Sequence, residues 1–87
     1  MKRITVLGAT GSIGESTLEI IRQHPQRYQV WAITAHSQVK KAFSQCLEFQ
    51  PTYAVMVNPQ AAQQLTALLR TAQSKTQVLC GAESLVE

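Results

Sequence analysis

The chain has 87 residues, of which 45% are hydrophobic and 15% charged, a composition typical of a globular protein and not of a disordered one. This length allows one domain or part of one. The formal net charge of +3 comes from basic residues that are scattered and form no dense stripe, so we expect no nucleic-acid partner.

The first predicted unit is a strand followed by a helix. Residues 3–7 are mostly apolar and β-branched, which is typical of a buried strand. A helix is expected over residues 12–24, ended by Pro25. The stripe predicted to face the sheet has members three and four positions apart: Ile13, Thr17, Ile20, Ile21 and His24.

The second unit repeats this order. A strand is expected over residues 28–34, where a continuous apolar run is typical of a sheet covered on both faces. Ser37 is the expected cap of a second helix that runs to Phe49. The apolar face of that helix consists of Val39, Ala42, Phe43, Cys46 and Leu47. A third strand is predicted over residues 53–57.

The third helix has a strong start signal, because Asn58 is a good cap and Pro59 suits the first helical position. Its apolar residues are Ala61, Ala62, Leu65, Leu68, Leu69 and Ala72. A fourth strand is expected over residues 76–80, a turn at Gly81, and the first turns of a fourth helix over residues 82–87. The fourth strand has two possible places, beyond the third strand or beside the first.

Strands that alternate with helices predict an α/β fold: a Rossmann-like parallel sheet with helices on both faces, incomplete at the carboxyl end. No stretch is as long as a membrane span, and the first strand begins so close to Met1 that we expect no targeting segment. We therefore expect a cytoplasmic protein without a membrane partner. Cys46 and Cys80 are too few and too far apart for a metal site, and both are expected to be buried thiols.

A glycine-rich turn joins the first strand to the first helix. Its glycines give the pattern G-x-x-G-x-x-G, which differs from the usual dinucleotide fingerprint G-x-G-x-x-G. Gly8 suits a sharp turn with positive φ, Gly11 leaves room for a pyrophosphate at the backbone, and Gly14 allows close packing of helix on strand.

This turn predicts an anion-binding site. The first N–H groups of a helix lack partners within the helix and lie at the positive end of its dipole. Thr10 and Ser12 add hydroxyl groups beside the amides of Gly11 and Ile13, and Ser12 is an alternative helix cap. The simpler interpretation is a tight turn that binds nothing, but the strand before it and the helix after it favour nucleotide binding.

The end of the second strand indicates which dinucleotide binds. NAD sites usually place a carboxylate there for the ribose hydroxyls, and NADP sites lack it. Residues 34–41 contain no carboxylate, and Ser37 and Gln38 are available to a 2′-phosphate, with His36 or Lys40 as further candidates. The sequence therefore favours NADPH over NADH.

Several blocks of sequence resemble one enzyme family. They are residues 8–14, Ser16-Thr17-Leu18, His24-Pro25 and the run over residues 46–56 (CLEFQPTYAVM). Together they resemble the amino terminus of the 1-deoxy-D-xylulose 5-phosphate reductoisomerases, in register along the whole chain. The glycine-rich block alone is shared by many reductases, and the block over residues 46–56 makes the resemblance specific.

The resemblance implies an enzyme that uses NADPH and Mg²⁺ or Mn²⁺ to convert a sugar phosphate, 1-deoxy-D-xylulose 5-phosphate, to 2-C-methyl-D-erythritol 4-phosphate for isoprenoid synthesis. It implies cofactor contacts at Thr10, Gly11, Ser12 and Ile13. A second contact segment, often Gly-Lys-Asn in the family, is here His36, Ser37 and Gln38, so the family lysine is absent.

The family's metal ligands and substrate-binding residues correspond to positions beyond residue 87. The resemblance therefore implies that residues 1–87 are the amino-terminal part of a dinucleotide-binding domain, with no catalytic or metal-binding residue, and are inactive alone. It also implies that the full-length enzyme is a homodimer.

Two other functions remain open at this point. One is a non-catalytic NADP-binding regulatory module. The other is a different reductase with a similar turn, such as one acting on aspartate semialdehyde, which would need a catalytic cysteine that neither Cys46 nor Cys80 supplies.

Overall fold

The computed structural model describes residues 2–81. Its strands and helices alternate along this part of the chain: β1 Lys2–Val6, α1 Ser12–Gln23, β2 Tyr28–Ala35, α2 Val39–Phe49, β3 Tyr53–Met56, α3 Pro59–Thr71 and β4 Gln77–Cys80. The element order agrees with the prediction, and the boundaries differ by at most one residue. The helix expected over residues 82–87 lies outside the described residues.

The strands form one parallel sheet in the order β1-β2-β3-β4. β4 pairs with β3, which settles the question of its place. The carboxyl ends stay in register across the sheet, with Val6 opposite Ile33 and Ala35 opposite Met56. A shift in register between Ile4 and Thr5 marks a bulge near the middle of the β1–β2 pair.

Residues of α1, α2 and α3 share one core cluster with alternate residues of the sheet. Each crossover moves one strand further in the same direction, and right-handed crossovers then place all three helices on the same face. The Rossmann-like α/β class is confirmed. Over residues 2–81 the helices cover one face only, so a helix on the opposite face is not among the described elements.

The predicted sheet-facing stripe of α1 is correct at Ile21, which is buried, and wrong at Ile13 and Ile20. The buried residues of this helix are Gly14, Leu18 and Ile21, whereas Ile13 is 85% exposed and Ile20 is 56% exposed. The rotation of α1 is set by Gly14, which lies against the backbone of the turn and brings Leu18 and Ile21, four and seven positions on, over the sheet.

Strand β1 is also less buried than expected. Val6 faces the helices and is buried, but Thr5 and Leu7 alternate onto the face that no described helix covers and are exposed. Cys80, which was expected to be buried, is exposed at the end of the edge strand β4. Cys46, on the inner side of α2, is buried as predicted.

The predicted helix cap is confirmed for α3 and is wrong for α2. Asn58 caps α3 as expected, its Oδ1 accepting a 3.0 Å hydrogen bond from the amide of Ala61. The N-cap of α2 is Gln38, not Ser37, and that of α1 is Gly11, so Ser12 is the first helical residue and not a cap. Neither Gln38 nor Gly11 makes a side-chain capping bond.

Candidate functional site

The glycine-rich turn leaves β1 at the carboxyl edge of the sheet. Gly8 has φ of +62°, as predicted, a conformation that other residues adopt only with strain. The turn then closes on itself, because the Gly11 amide donates a 2.9 Å hydrogen bond to the Gly8 carbonyl. The chain thereby reverses direction and enters α1 at Ser12.

Thr34, near the end of β2, anchors this turn to the sheet. Its Oγ1 accepts a 2.8 Å hydrogen bond from the amide of Gly8. Its carbonyl accepts a second 2.8 Å hydrogen bond from the amide of Ala9. One buried threonine therefore fixes two successive amides of the turn and holds the ends of β1 and β2 together.

The two later glycines differ in what they contribute. A β-carbon on Gly14 would lie 2.1 Å from the Gly8 oxygen and 2.6 Å from the Ala9 α-carbon, so the fold itself requires glycine there. A β-carbon on Gly11 would meet only the Gly8 oxygen, at 3.4 Å. The fold therefore does not itself require glycine at position 11, and the bare backbone there is exposed to approach from outside.

Unpartnered amides gather beside Gly11. The first helical hydrogen bond of α1 runs from the Glu15 amide to the Gly11 carbonyl, at 2.9 Å. The amides of Thr10, Ser12 and Ile13 have no acceptor within residues 2–81. The two in the helix lie at the positive end of its dipole, which makes this corner suited to an anion.

The end of β2 forms the second part of the candidate site. His36, Ser37 and Gln38 are exposed and follow β2 directly, so they lie beside the turn that Thr34 anchors. Lys41 lies 2.9 Å from a carboxylate oxygen of Glu15 and is therefore already paired. The predicted residues Gly8, Thr10, Gly11, Ser12 and Ile13 thus form one corner, with Ser37 and Gln38 beside it.

Sequence reasoning missed two residues of this site, Thr34 and Gln45. The Nε2 of Gln45, on α2, donates a 2.7 Å hydrogen bond to the carbonyl of Ala9 in the turn. The signal available in the sequence was a polar residue inside an apolar pattern: Thr34 in the apolar run of β2, and Gln45 beside Cys46 on the inner side of α2.

The strongest ion pairs lie away from this corner, at the far end of α1. The Arg22 guanidinium contacts Glu48 of α2 through two nitrogens and also pairs with Glu19. The hydrogen bonds from Arg22 lower the pKa of Glu48, and the same bonds raise the pKa of Arg22. Burial raises the pKa of the Cys46 thiol to about 12, so this thiol is protonated at neutral pH. The Arg22–Glu48 ion pair joins α1 to α2. These ion pairs and the buried Cys46 belong to the scaffold.

The fold and this corner define the class: a Rossmann-like α/β chain with a glycine-rich turn and unpartnered amides at the carboxyl edge of its sheet. The model of one family, 1-deoxy-D-xylulose 5-phosphate reductoisomerase, matches residues 4–87. The chain belongs to the 1-deoxy-D-xylulose 5-phosphate reductoisomerase family.

Individual relatives agree with this assignment. The reductoisomerase of Nitrosomonas eutropha is 54% identical over 85 residues, which cover 98% of this chain and 21% of that enzyme. That of Cupriavidus pinatubonensis is 55% identical over 85 residues, covering 98% and 22%. The chain therefore spans about a fifth of the length of these relatives.

Solved structures match the whole described fold. A crystal structure of DOX-P reductoisomerase in complex with NADPH, fosmidomycin and magnesium has a TM-score of 0.93 and 42% identity, covering 100% of this chain and 21% of that one. The Zymomonas mobilis enzyme in complex with NADPH has a TM-score of 0.89 and 40% identity, covering 98% and 22%.

Proposed function

We propose that this chain binds NADPH as the amino-terminal part of a reductoisomerase that converts 1-deoxy-D-xylulose 5-phosphate to 2-C-methyl-D-erythritol 4-phosphate. The observation that carries the proposal is the row of unpartnered amides beside Gly11, at the carboxyl edge of a parallel sheet. Relatives solved with NADPH support it, and the family match over residues 4–87 favours it over a regulatory module.

Different residues of this corner bind different parts of the cofactor. The amides of Thr10, Ser12 and Ile13 surround the place where the pyrophosphate binds, and the bare backbone of Gly11 allows its approach. The hydroxyls of Thr10 and Ser12 are additional donors. Ser37 and Gln38 lie where the 2′-phosphate of the adenosine ribose is expected. NADPH supplies the hydride for the reduction, and the chain holds and orients its phosphates.

The remaining chemistry is assigned to polypeptide outside this segment. Among residues 2–81 there is no group of three or more His, Cys, Asp or Glu side chains that is able to hold a metal ion. We therefore propose that the ligands for Mg²⁺ or Mn²⁺ and the substrate-binding residues come from other parts of the protein, and that residues 1–87 are inactive alone. We also propose a homodimeric, cytoplasmic enzyme; none of the helices in the described part is long and apolar enough to cross a membrane.

The test is a titration of the chain with NADPH and with NADH, followed by fluorescence of the nicotinamide. We expect NADPH to bind more tightly, and Gly11→Val to abolish binding, because the new side chain occupies the space that the pyrophosphate needs. Gly11 has φ of −87° and its β-carbon position is open, so the variant keeps its helix–sheet circular dichroism spectrum.

The matched control is Gln23→Val, at the exposed last residue of the same helix and away from the turn, for which NADPH affinity stays unchanged. Unchanged affinity in the folded Gly11→Val variant would remove the site assignment. Turnover of substrate by residues 1–87 alone would contradict the proposed division of the enzyme.

A further inference from the structure

Gln45 connects α2 to the glycine-rich turn through one partly buried hydrogen bond. A carbonyl oxygen only accepts hydrogen bonds, so the nitrogen end of the Gln45 carboxamide must face the Ala9 carbonyl, which lies 2.7 Å away. The other end, Oε1, is buried and has no donor within residues 2–81. The bond to the Ala9 carbonyl is therefore the one hydrogen bond that the Gln45 side chain makes to residues 2–81.

This bond determines how one peptide unit of the turn is oriented. The peptide bonds of the described chain are trans, so the Ala9 carbonyl and the Thr10 N–H, which belong to the same peptide plane, point in opposite directions. Because the carbonyl is directed at Gln45 on α2, the Thr10 N–H is directed away from α2. The Thr10 amide has no acceptor among the described residues.

The neighbouring peptide is fixed from the opposite side. The Ala9 amide donates to the Thr34 carbonyl at 2.8 Å, and Ala9 itself is fully buried. Gln45 makes the only hydrogen bond to the Ala9–Thr10 peptide within residues 2–81, so without it no hydrogen bond fixes the orientation of this peptide. A flipped peptide would direct a carbonyl oxygen, which carries partial negative charge, to the side on which Thr10 now offers a donor.

We propose that Gln45 is a positioning residue for cofactor phosphate: it fixes the Ala9–Thr10 peptide with the Thr10 N–H facing the anion and the Ala9 carbonyl turned away. Gln45 does not touch the cofactor and acts through the backbone of the turn. This inference rests on the proposed function, because it assigns a role to a residue behind the proposed NADPH site.

Two substitutions test the proposal. Gln45→Met keeps the length of the side chain and removes the donor, and Gln45→Glu keeps the shape and replaces the donor with a carboxylate that repels the Ala9 carbonyl. Loss of this hydrogen bond removes its contribution to the binding-competent orientation of the Ala9–Thr10 peptide, so we expect NADPH binding to weaken by about tenfold in each variant. The matched controls are Gln64→Met and Gln64→Glu on the exposed side of α3, which leave the affinity unchanged.

The Thr10 amide resonance distinguishes a positioning role from a merely structural one. In the parent chain we expect this resonance to shift when NADPH is added, and in both Gln45 variants we expect that shift to be lost. A purely structural role would lower thermal stability and leave the affinity and the Thr10 shift of the folded chain unaltered, and that result would overturn the proposal.

If Gln45→Met does not fold, the pH dependence of cofactor affinity in Gln45→Glu tests the proposal instead. At low pH the new carboxyl of Gln45→Glu is protonated and is again able to donate to the Ala9 carbonyl. NADP⁺ serves as an acid-stable probe. As the pH falls, the affinity of Gln45→Glu for NADP⁺ should therefore recover relative to that of Gln64→Glu. A ratio of these two affinities that does not change with pH would contradict the proposed role of the Gln45 N–H donor. A parent chain that binds no NADPH would instead overturn the proposed function, and with it this inference.

Discussion

At the scale of single residues, alanine substitutions at Gly14 and Gly11 are expected to affect stability differently. Gly14→Ala places a β-carbon 2.1 Å from the Gly8 oxygen, a backbone atom that moves only if the turn moves. Overpacking of this kind costs about 1–3 kcal/mol, so the urea midpoint of Gly14→Ala should fall well below that of the parent. Gly11→Ala is the matched control, because its β-carbon meets the Gly8 oxygen at an ordinary 3.4 Å. Equal midpoints for the two variants would contradict the packing described for the turn.

Ser37 tests the choice between NADPH and NADH. Ser37→Asp introduces a carboxylate at the end of β2, where it repels a 2′-phosphate and accepts hydrogen bonds from ribose hydroxyls. The ratio of NADH to NADPH affinity should rise by about tenfold, as expected for juxtaposed like charges. Ser37→Asn, of similar size and uncharged, is the control. An unchanged ratio would mean that the 2′-phosphate is recognised elsewhere, for example by Lys40.

At the scale of elements, the starts of α2 and α3 differ in one side-chain hydrogen bond. Asn58 caps α3 with a 3.0 Å bond to the Ala61 amide, whereas Gln38 at the N-cap of α2 makes no such bond. Asn58→Ala should therefore lower the free energy of unfolding by about 1 kcal/mol, and Gln38→Ala should change it little. Chemical denaturation measures both, and equal losses would show that the cap contributes nothing specific.

The elements themselves could be predicted from the sequence, because hydrophobic period, proline and the Asn58 cap are local signals. The rotation of α1 could not be predicted. Its sequence contains two apolar stripes, one with Ile13 and Ile20 and one with Leu18 and Ile21, and period alone does not choose between them. The choice depends on Gly14 packing against the turn, which is a tertiary contact.

The candidate site was predictable to a similar degree. The glycine spacing indicated the roles of Gly8 and Gly14, which the backbone geometry confirms. Thr34 and Gln45 were missed because their bonds to the turn join residues 26 and 36 positions apart. Such contacts follow from strand pairing and helix packing, and a local pattern contains no information about them.

At the scale of the whole molecule, β1 is an open edge of the described sheet, with no strand on its outer side within residues 2–81. Three large apolar side chains are exposed in the turn after β1 and on α1: Leu7, Ile13 and Ile20. An open strand edge with exposed apolar residues favours association of the isolated chain. The corner proposed to bind the anion depends on contacts within β1, β2 and α2 that this segment already contains.

The most direct test of the account is an NMR titration of the backbone amides with NADPH. If the phosphates bind at the glycine-rich turn, the largest saturable shifts will occur at Thr10, Gly11, Ser12 and Ile13, with smaller ones at Ser37 and Gln38. Saturable shifts confined to the amino ends of the strands, or no saturable shift at any concentration, would contradict the account.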